Sequence, residues 1–93
     1  MNETEKNEII QKLINECKWH FENANNYYSM KNDFNIHENQ IVKPLGQKLY
    51  DEGGLSLMRE VYQKVENVCI EKYGKNCRSA LEMKWNGVGD WRG

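Results

Sequence analysis

This 93-residue sequence contains Cys17, His20, Cys69 and Cys77, whose side chains are of the types that bind zinc. Thiolate sulfur and imidazole nitrogen are the usual ligands of tetrahedral zinc, and Cys17 and His20 are spaced to share one helix face. Structural zinc sites usually take cysteine pairs only a few residues apart, whereas seven residues separate Cys69 from Cys77. We therefore predict free thiols that pack as small apolar residues, with no metal and no cofactor; a Cys/His metal site is the alternative.

Glu16 and His20 are four residues apart, a spacing at which a carboxylate can orient an imidazole as a general base. No serine or cysteine nucleophile has a sequence reason to converge on this pair, and such pairs are ordinary on solvated helix faces. A small, highly charged chain also offers little volume for the concave pocket that small-molecule chemistry requires. We predict no catalytic activity and no small-molecule ligand, and the alternative is a small enzyme centred on His20.

Trp19 is the aromatic residue whose direction can be worked out from its neighbours. It lies about 200° around the predicted helix from the apolar stripe that contains Cys17, and so it points away from the core. A single exposed aromatic residue is normal and needs no further explanation. The other interpretation is a contact with the C-terminal segment or with another chain, because tryptophan is enriched among residues that dominate interfaces.

The sequence ends in WNGVGDWRG, which is rich in glycine and tryptophan for so polar a chain. Gly87 has the position of a left-handed helix cap, Gly89 permits a further turn, and Asp90 can hydrogen-bond to nearby backbone N–H groups. Such a reversal returns Trp91 to the bundle, where its large ring adds buried surface. The structural interpretation is therefore an ordered tail that completes the core.

The same tail has a functional interpretation, in which Trp91 and Arg92 face outward and anchor a partner. Tryptophan and arginine are the residue types that most often carry interface energy. The predicted partner-binding residues are Trp19, Trp85, Trp91 and Arg92. The two interpretations of the tail are compatible, and both stay open.

The secondary structure that must position these residues can be predicted from the spacing of the apolar residues, which is typical of helices throughout the chain. Apolar residues recur at intervals of three and four up to Tyr28, and predict a first helix over about 3–30. The Asn-rich stretch 31–39 predicts a loop, and Pro44 favours the start of a short helix that runs to about Glu52. A third, central helix over about 55–73 and a short fourth one near 77–85 complete the chain.

Glycines predict the ends of these helices. Gly53 and Gly54 end the second helix, and Gly74 ends the third, because glycine adopts the left-handed conformation of a C-cap without a steric penalty. No segment alternates with the period of a strand. We predict an all-α fold for a single domain, 1–93, with three or four helices of which two are long.

Composition limits the function classes. The chain has 13 basic and 14 acidic residues, interspersed from end to end, for a net charge of −1. This balance predicts no binding to nucleic acid and no basic membrane patch. The N-terminus lacks the basic and apolar regions of a secretion signal, so we expect a cytoplasmic protein. The leading hypothesis is a helical protein–protein interaction module, with a homodimer as one possibility.

Overall fold

The computed structural model describes residues 1–93, and it contains α-helices and shorter helical turns but no strands. The α-helices are α1 (Glu3–Asn23), α2 (Lys31–His37) and α3 (Lys43–Tyr73). The shorter turns are of the 3₁₀ type at Ala24–Ser29 and Met83–Trp85, and of the π type at Glu38–Val42 and Arg78–Glu82. The predicted all-α fold with two long helices is confirmed. No helix is both long enough and apolar enough to cross a membrane.

The first helix begins with the cap that the sequence indicates and ends earlier than predicted. The Glu5 N–H donates to Asn2 Oδ1 at 2.8 Å, which satisfies one of the free N–H groups of the first turn. The α-helix stops at Asn23, and a tighter 3₁₀ turn follows. Because a 3₁₀ turn changes the angle between successive side chains, the helical stripe is lost there. Tyr28, which the spacing placed on the stripe, is 86% exposed.

The predicted loop over 31–39 is wrong. This stretch forms α2 and runs through the π turn directly into α3. Phe34 is buried and its ring centroid lies 4.7 Å from that of Trp19 on α1. Burial of this ring outweighs the weak local preference of asparagine for turns, because tertiary contacts routinely override intrinsic propensity.

The two helices predicted on either side of the glycine pair are joined into one element with a sharp break. The break is at Gly54, with φ 67° and ψ −160°, a backbone region that is essentially restricted to glycine. Gly53 keeps helical geometry and does not form a cap of its own. The helix ends at Tyr73, where left-handed Gly74 donates its N–H to the carbonyl of Ile70 at 2.9 Å.

One hydrophobic core joins α1, α3 and the C-terminal segment. Trp85 occupies its centre and lies against the backbone of α3 at Gly46. A Cβ atom at Gly46 would stand 2.5 Å from Trp85 Nε1, so the close approach requires glycine. The indole N–H donates to the carbonyl of Val42 at 2.9 Å, which satisfies its only polar group inside the core.

Candidate functional site

The largest concavity of the molecule is a groove between α1 and the stretch that runs from the end of α2 into α3. Its volume is about 650 Å³, and one side opens to solvent. Polar side chains and apolar ones both line it: Lys12, Asn15, Glu16, Trp19, His37, Gln40, Ile41, Pro44 and Leu45. We refer to it as the Trp19 groove.

Trp19 packs against α2 on one side and not against the C-terminal segment. Its ring stacks on the His37 imidazole, with centroids 3.7 Å apart and planes at 10°. The side chain is only half-buried, and its indole N–H donates to no acceptor in the chain. The other two tryptophans both donate to backbone carbonyls. Trp19 therefore brings an aromatic surface and an unused hydrogen-bond donor to the groove.

Glu16 forms its hydrogen bond with His37, and not with His20 as the spacing suggested. His37 Nδ1 lies 2.8 Å from Glu16 Oε2, and Nδ1 carries the proton because a carboxylate only accepts. Glu16 is 8% exposed, and its second oxygen, Oε1, is buried without a donor. A buried acceptor left in this state costs about 1–3 kcal/mol, so the wall of the groove holds a carboxylate with one satisfied and one unsatisfied oxygen.

His20 lies in a second, smaller pocket, where its partner is Lys84. Lys84 Nζ is 3.1 Å from His20 Nδ1, and the lysine is only 9% exposed. Burial, followed by the charge of Lys84, lowers the pKa of His20 to about 4, so the imidazole is neutral at pH 7 and accepts from the amine. Burial also lowers the pKa of Lys84, and the negative charge of Glu38 offsets part of that shift.

The three cysteines are free and fully buried in the core. A hydrogen bond with Cys77, together with burial, raises the pKa of Cys17, and burial raises that of Cys69 to about 11. No group of three or more His, Cys, Asp or Glu side chains is arranged to hold a metal ion. His20, the proposed nitrogen ligand, faces Lys84. The thiols of Cys17 and Cys69 are therefore protonated at neutral pH, whereas the hydrogen bond with Cys17 lowers the pKa of Cys77 and burial opposes that shift.

Two of the four predicted partner-binding residues are buried in the core of the protein. Trp85 is 0% and Trp91 5% exposed, and Trp91 donates its indole N–H to the carbonyl of Glu82 at 2.9 Å. Arg92 is exposed, and its guanidinium donates to the carbonyl of Trp91. Of the four residues, Trp19 and Arg92 therefore have surface to offer, whereas the two buried indoles are occupied by the chain itself.

The turn residues of the tail lie against α3. Gly87 and Gly89 have φ values of 90° and 54°. A Cβ atom at Gly89 would stand 2.5 Å from the ring of Tyr50, so a larger residue would push the tail away. Asp90 accepts a hydrogen bond from the Tyr50 hydroxyl at 3.0 Å, whereas the sequence suggested a backbone partner.

Sequence reasoning did not place three of the residues that shape these sites: Phe34, His37 and Lys84. Phe34, His37 and Ile41 follow one another at intervals of three and four, which is a helical signal inside the stretch assigned to a loop. No local signal marks Lys84 as buried, because its partner His20 is 64 residues away in sequence.

Comparison of the chain with protein-family models, with curated proteins and with solved structures found no match.

Proposed function

We propose that this chain is a helical protein-interaction module that binds its partner in the Trp19 groove and has no catalytic role there. One observation carries the proposal. The groove brings together an aromatic ring with an unused N–H, a buried carboxylate with an unpartnered oxygen, and apolar side chains. Buried polar groups in native proteins are normally satisfied, so the unpartnered Oε1 of Glu16 in the wall of this groove favours a binding partner that donates to it.

The composition of the groove favours a protein over a small ligand. Ile41, Pro44 and Leu45 supply an apolar strip from the π turn and the start of α3. Lys12 and Gln40 add polar side chains to the same lining. An apolar centre with aromatic anchors and a polar rim is the usual arrangement of protein–protein interfaces. Because one side is open, a side chain carried on a larger molecule can enter.

The partner segment that fits has a definable chemistry. It carries an apolar side chain that packs on the strip at Ile41 and Leu45. It also presents a hydrogen-bond acceptor, such as a backbone carbonyl, to the indole N–H of Trp19. The same segment presents a hydrogen-bond donor, such as a backbone N–H, to the unpartnered Oε1 of Glu16. A second copy of this chain is the alternative occupant, and sedimentation at high concentration distinguishes the two.

The test is a variant that fills the groove without disturbing the core. Asn15 is exposed on α1, lines the groove and accepts a hydrogen bond from the glutamine one turn earlier. Asn67 is exposed on α3, away from the groove, and accepts the same type of bond from Gln63. Asn15→Trp is therefore the substitution that fills the groove, and Asn67→Trp is the matched control at a position outside it.

We expect quantitative capture from the native host to recover a partner with the wild type and with Asn67→Trp, and to lose it with Asn15→Trp. Circular dichroism of both variants checks that the helical fold is kept. Equal recovery by the two variants would contradict the proposal, because a filled groove would then leave binding unchanged.

We further propose a structural role for the tail, residues 86–93, and a cytosolic location for the module. Support for the first is the burial of Trp91 and the hydrogen bond between Tyr50 and Asp90. Support for the second is the presence of three free, buried cysteines, which suits a reducing compartment.

A further inference from the structure

The pocket around His20 and Lys84 has features that the proposed interaction role does not use. It has a volume of about 330 Å³ and lies between α1, α2 and the turns that follow Cys77. Phe34, Glu38 and Ser79 contribute to its walls. Of the residues that line the Trp19 groove, none lines this pocket.

Lys84 is a buried amine without an ion pair. It is 9% exposed, forms no salt bridge, and makes its one hydrogen bond to His20 Nδ1 at 3.1 Å. Its Nζ lies 5.6 Å from the centre of the Phe34 ring. Lysine is almost never fully buried unless it is paired, so an amine placed on an aromatic ring and a neutral imidazole requires an explanation.

This environment makes the neutral form of the amine easier to reach than it is for a surface lysine. Burial lowers the pKa of Lys84, and the nearby Glu38, Cys17 and Glu16 oppose that effect in part. At any given pH near neutrality the amine therefore holds its proton less firmly than an ordinary surface lysine does. A neutral lysine amine is a nucleophile, and desolvated lysines in enzymes react with carbonyl compounds for this reason.

We propose that Lys84 is a carbonyl-reactive lysine that forms an imine with a small, uncharged aldehyde or ketone entering this pocket. Nζ attacks the carbonyl carbon, and a carbon–nitrogen bond forms as the carbonyl π bond opens. Both amine protons leave nitrogen and end on the carbonyl oxygen, which departs as water. The net change is amine plus carbonyl to imine plus water, with no oxidant or reductant.

His20 is placed to carry the proton during this exchange. Its Nδ1 is hydrogen-bonded to Nζ and is unprotonated at pH 7, so it can accept a proton from the attacking amine and return it to the departing oxygen. Glu38 lines the wall and forms a 3.7 Å ion pair with Lys43, so this wall offers no unpaired charge to an ionic carbonyl compound. The preferred ligands are therefore neutral molecules, with Phe34 as an aromatic wall.

The test treats the intact folded chain with benzaldehyde and sodium cyanoborohydride at pH 7, which reduces any imine to a stable adduct. Peptide mapping by mass spectrometry then locates the adduct. We expect more adduct on Lys84 than on all the exposed lysines together. An adduct spread over the exposed lysines, with Lys84 unmodified, would overturn the proposal, and this result needs no variant.

Variants sharpen the assignment. Lys84→Arg keeps the positive charge and should abolish the dominant adduct, whereas Lys18→Arg, at an exposed position on α1, should leave it. His20→Phe removes the proton acceptor and should slow adduct formation on Lys84. Asn15→Trp should not change the labelling, because it fills the other site. Labelling of Lys84 at the rate of Lys18 would contradict the special role of its pocket.

Discussion

The three tryptophans of this chain occupy two regions of opposite character. In the C-terminal region, Trp85 and Trp91 are buried, and each indole N–H donates to a backbone carbonyl. On the α1 and α2 side, Trp19 is half-buried and its N–H has no acceptor in the chain. The difference separates an aromatic residue whose interactions are completed by the fold from one whose interactions are left open.

The surroundings of the two regions differ in the same way. The core around Trp85 is apolar. Because Gly46 has no side chain, the indole packs directly on the α3 backbone and its N–H reaches the carbonyl of Val42. Beside Trp19, Glu16 keeps one oxygen without a donor. On the same side of the molecule, Lys84 is buried against neutral His20. The first region is a packed apolar core with one buried hydroxyl, that of Tyr62, left without a partner, whereas the second places a carboxylate, an imidazole and an amine at the edges of open pockets.

The largest expected effect is on stability in the C-terminal region. Trp91→Ala deletes a buried aromatic ring and its hydrogen bond, and should lower the free energy of unfolding by about 3–5 kcal/mol. The neighbouring exposed Arg92→Ala should change it by less than about 0.5 kcal/mol. Urea titration followed by circular dichroism measures both. A Trp91→Ala variant as stable as Arg92→Ala would mean that the tail adds nothing to the fold.

The next effect concerns the contact between Trp85 and the α3 backbone. Gly46→Ala places a methyl group 2.5 Å from the indole nitrogen, so the ring or the helix must shift. Such overpacking should cost about 1–3 kcal/mol. Gln47→Ala, one residue further along and exposed, is the control. Thermal melts compare the two, and a stabilised Gly46→Ala would show that the close contact is relaxed in solution.

A smaller effect is the pH dependence that His20 contributes. Its pKa falls from an ordinary value of 6.5 to about 4 on folding, so the unfolded chain binds more protons between these values. The stability due to His20 is therefore present above pH 6.5 and is lost as the pH falls toward 4. His20→Gln, which retains a hydrogen-bond acceptor, should flatten this slope in melts at successive pH values. An unchanged slope would contradict burial of the imidazole.

The smallest expected effect on stability is that of the groove-filling substitution. Asn15→Trp and Asn67→Trp are both at exposed helix positions, so each should change the free energy of unfolding by less than about 0.5 kcal/mol. Denaturant titration of the pair checks this. A large loss for Asn15→Trp alone would show that the groove is part of the core and would remove it as a binding surface.

Local signals were sufficient for part of this structure. The Asn2 cap, the helical spacing of α1 and the left-handed Gly74 are each determined by a few adjacent residues, and these features lie where the sequence indicates. Contacts between distant residues were not accessible in this way. Glu16 and His37 are 21 positions apart, and their pairing depends on α2 crossing α1, which in turn depends on Phe34.

The site was correspondingly harder to predict than the fold. The direction of Trp19 away from the apolar stripe could be calculated, but the element that covers that face lay in the stretch assigned to a loop. Glu16 and His20 were selected because they are one turn apart, yet each has a different partner contributed by a later element. Helical spacing identifies a shared face, and it does not identify the neighbour that packs on it.

The most direct test of the account uses the indole N–H signals of the three tryptophans in a proton–nitrogen NMR spectrum. In the free protein, the Trp85 and Trp91 signals should exchange slowly with deuterated solvent and the Trp19 signal should exchange rapidly. On addition of the partner captured by the wild-type chain, the Trp19 signal should shift and become protected while the other two stay in place. A Trp19 signal that is unchanged by the partner, with shifts at Trp85 or Trp91 instead, would contradict the assignment of binding to the Trp19 groove.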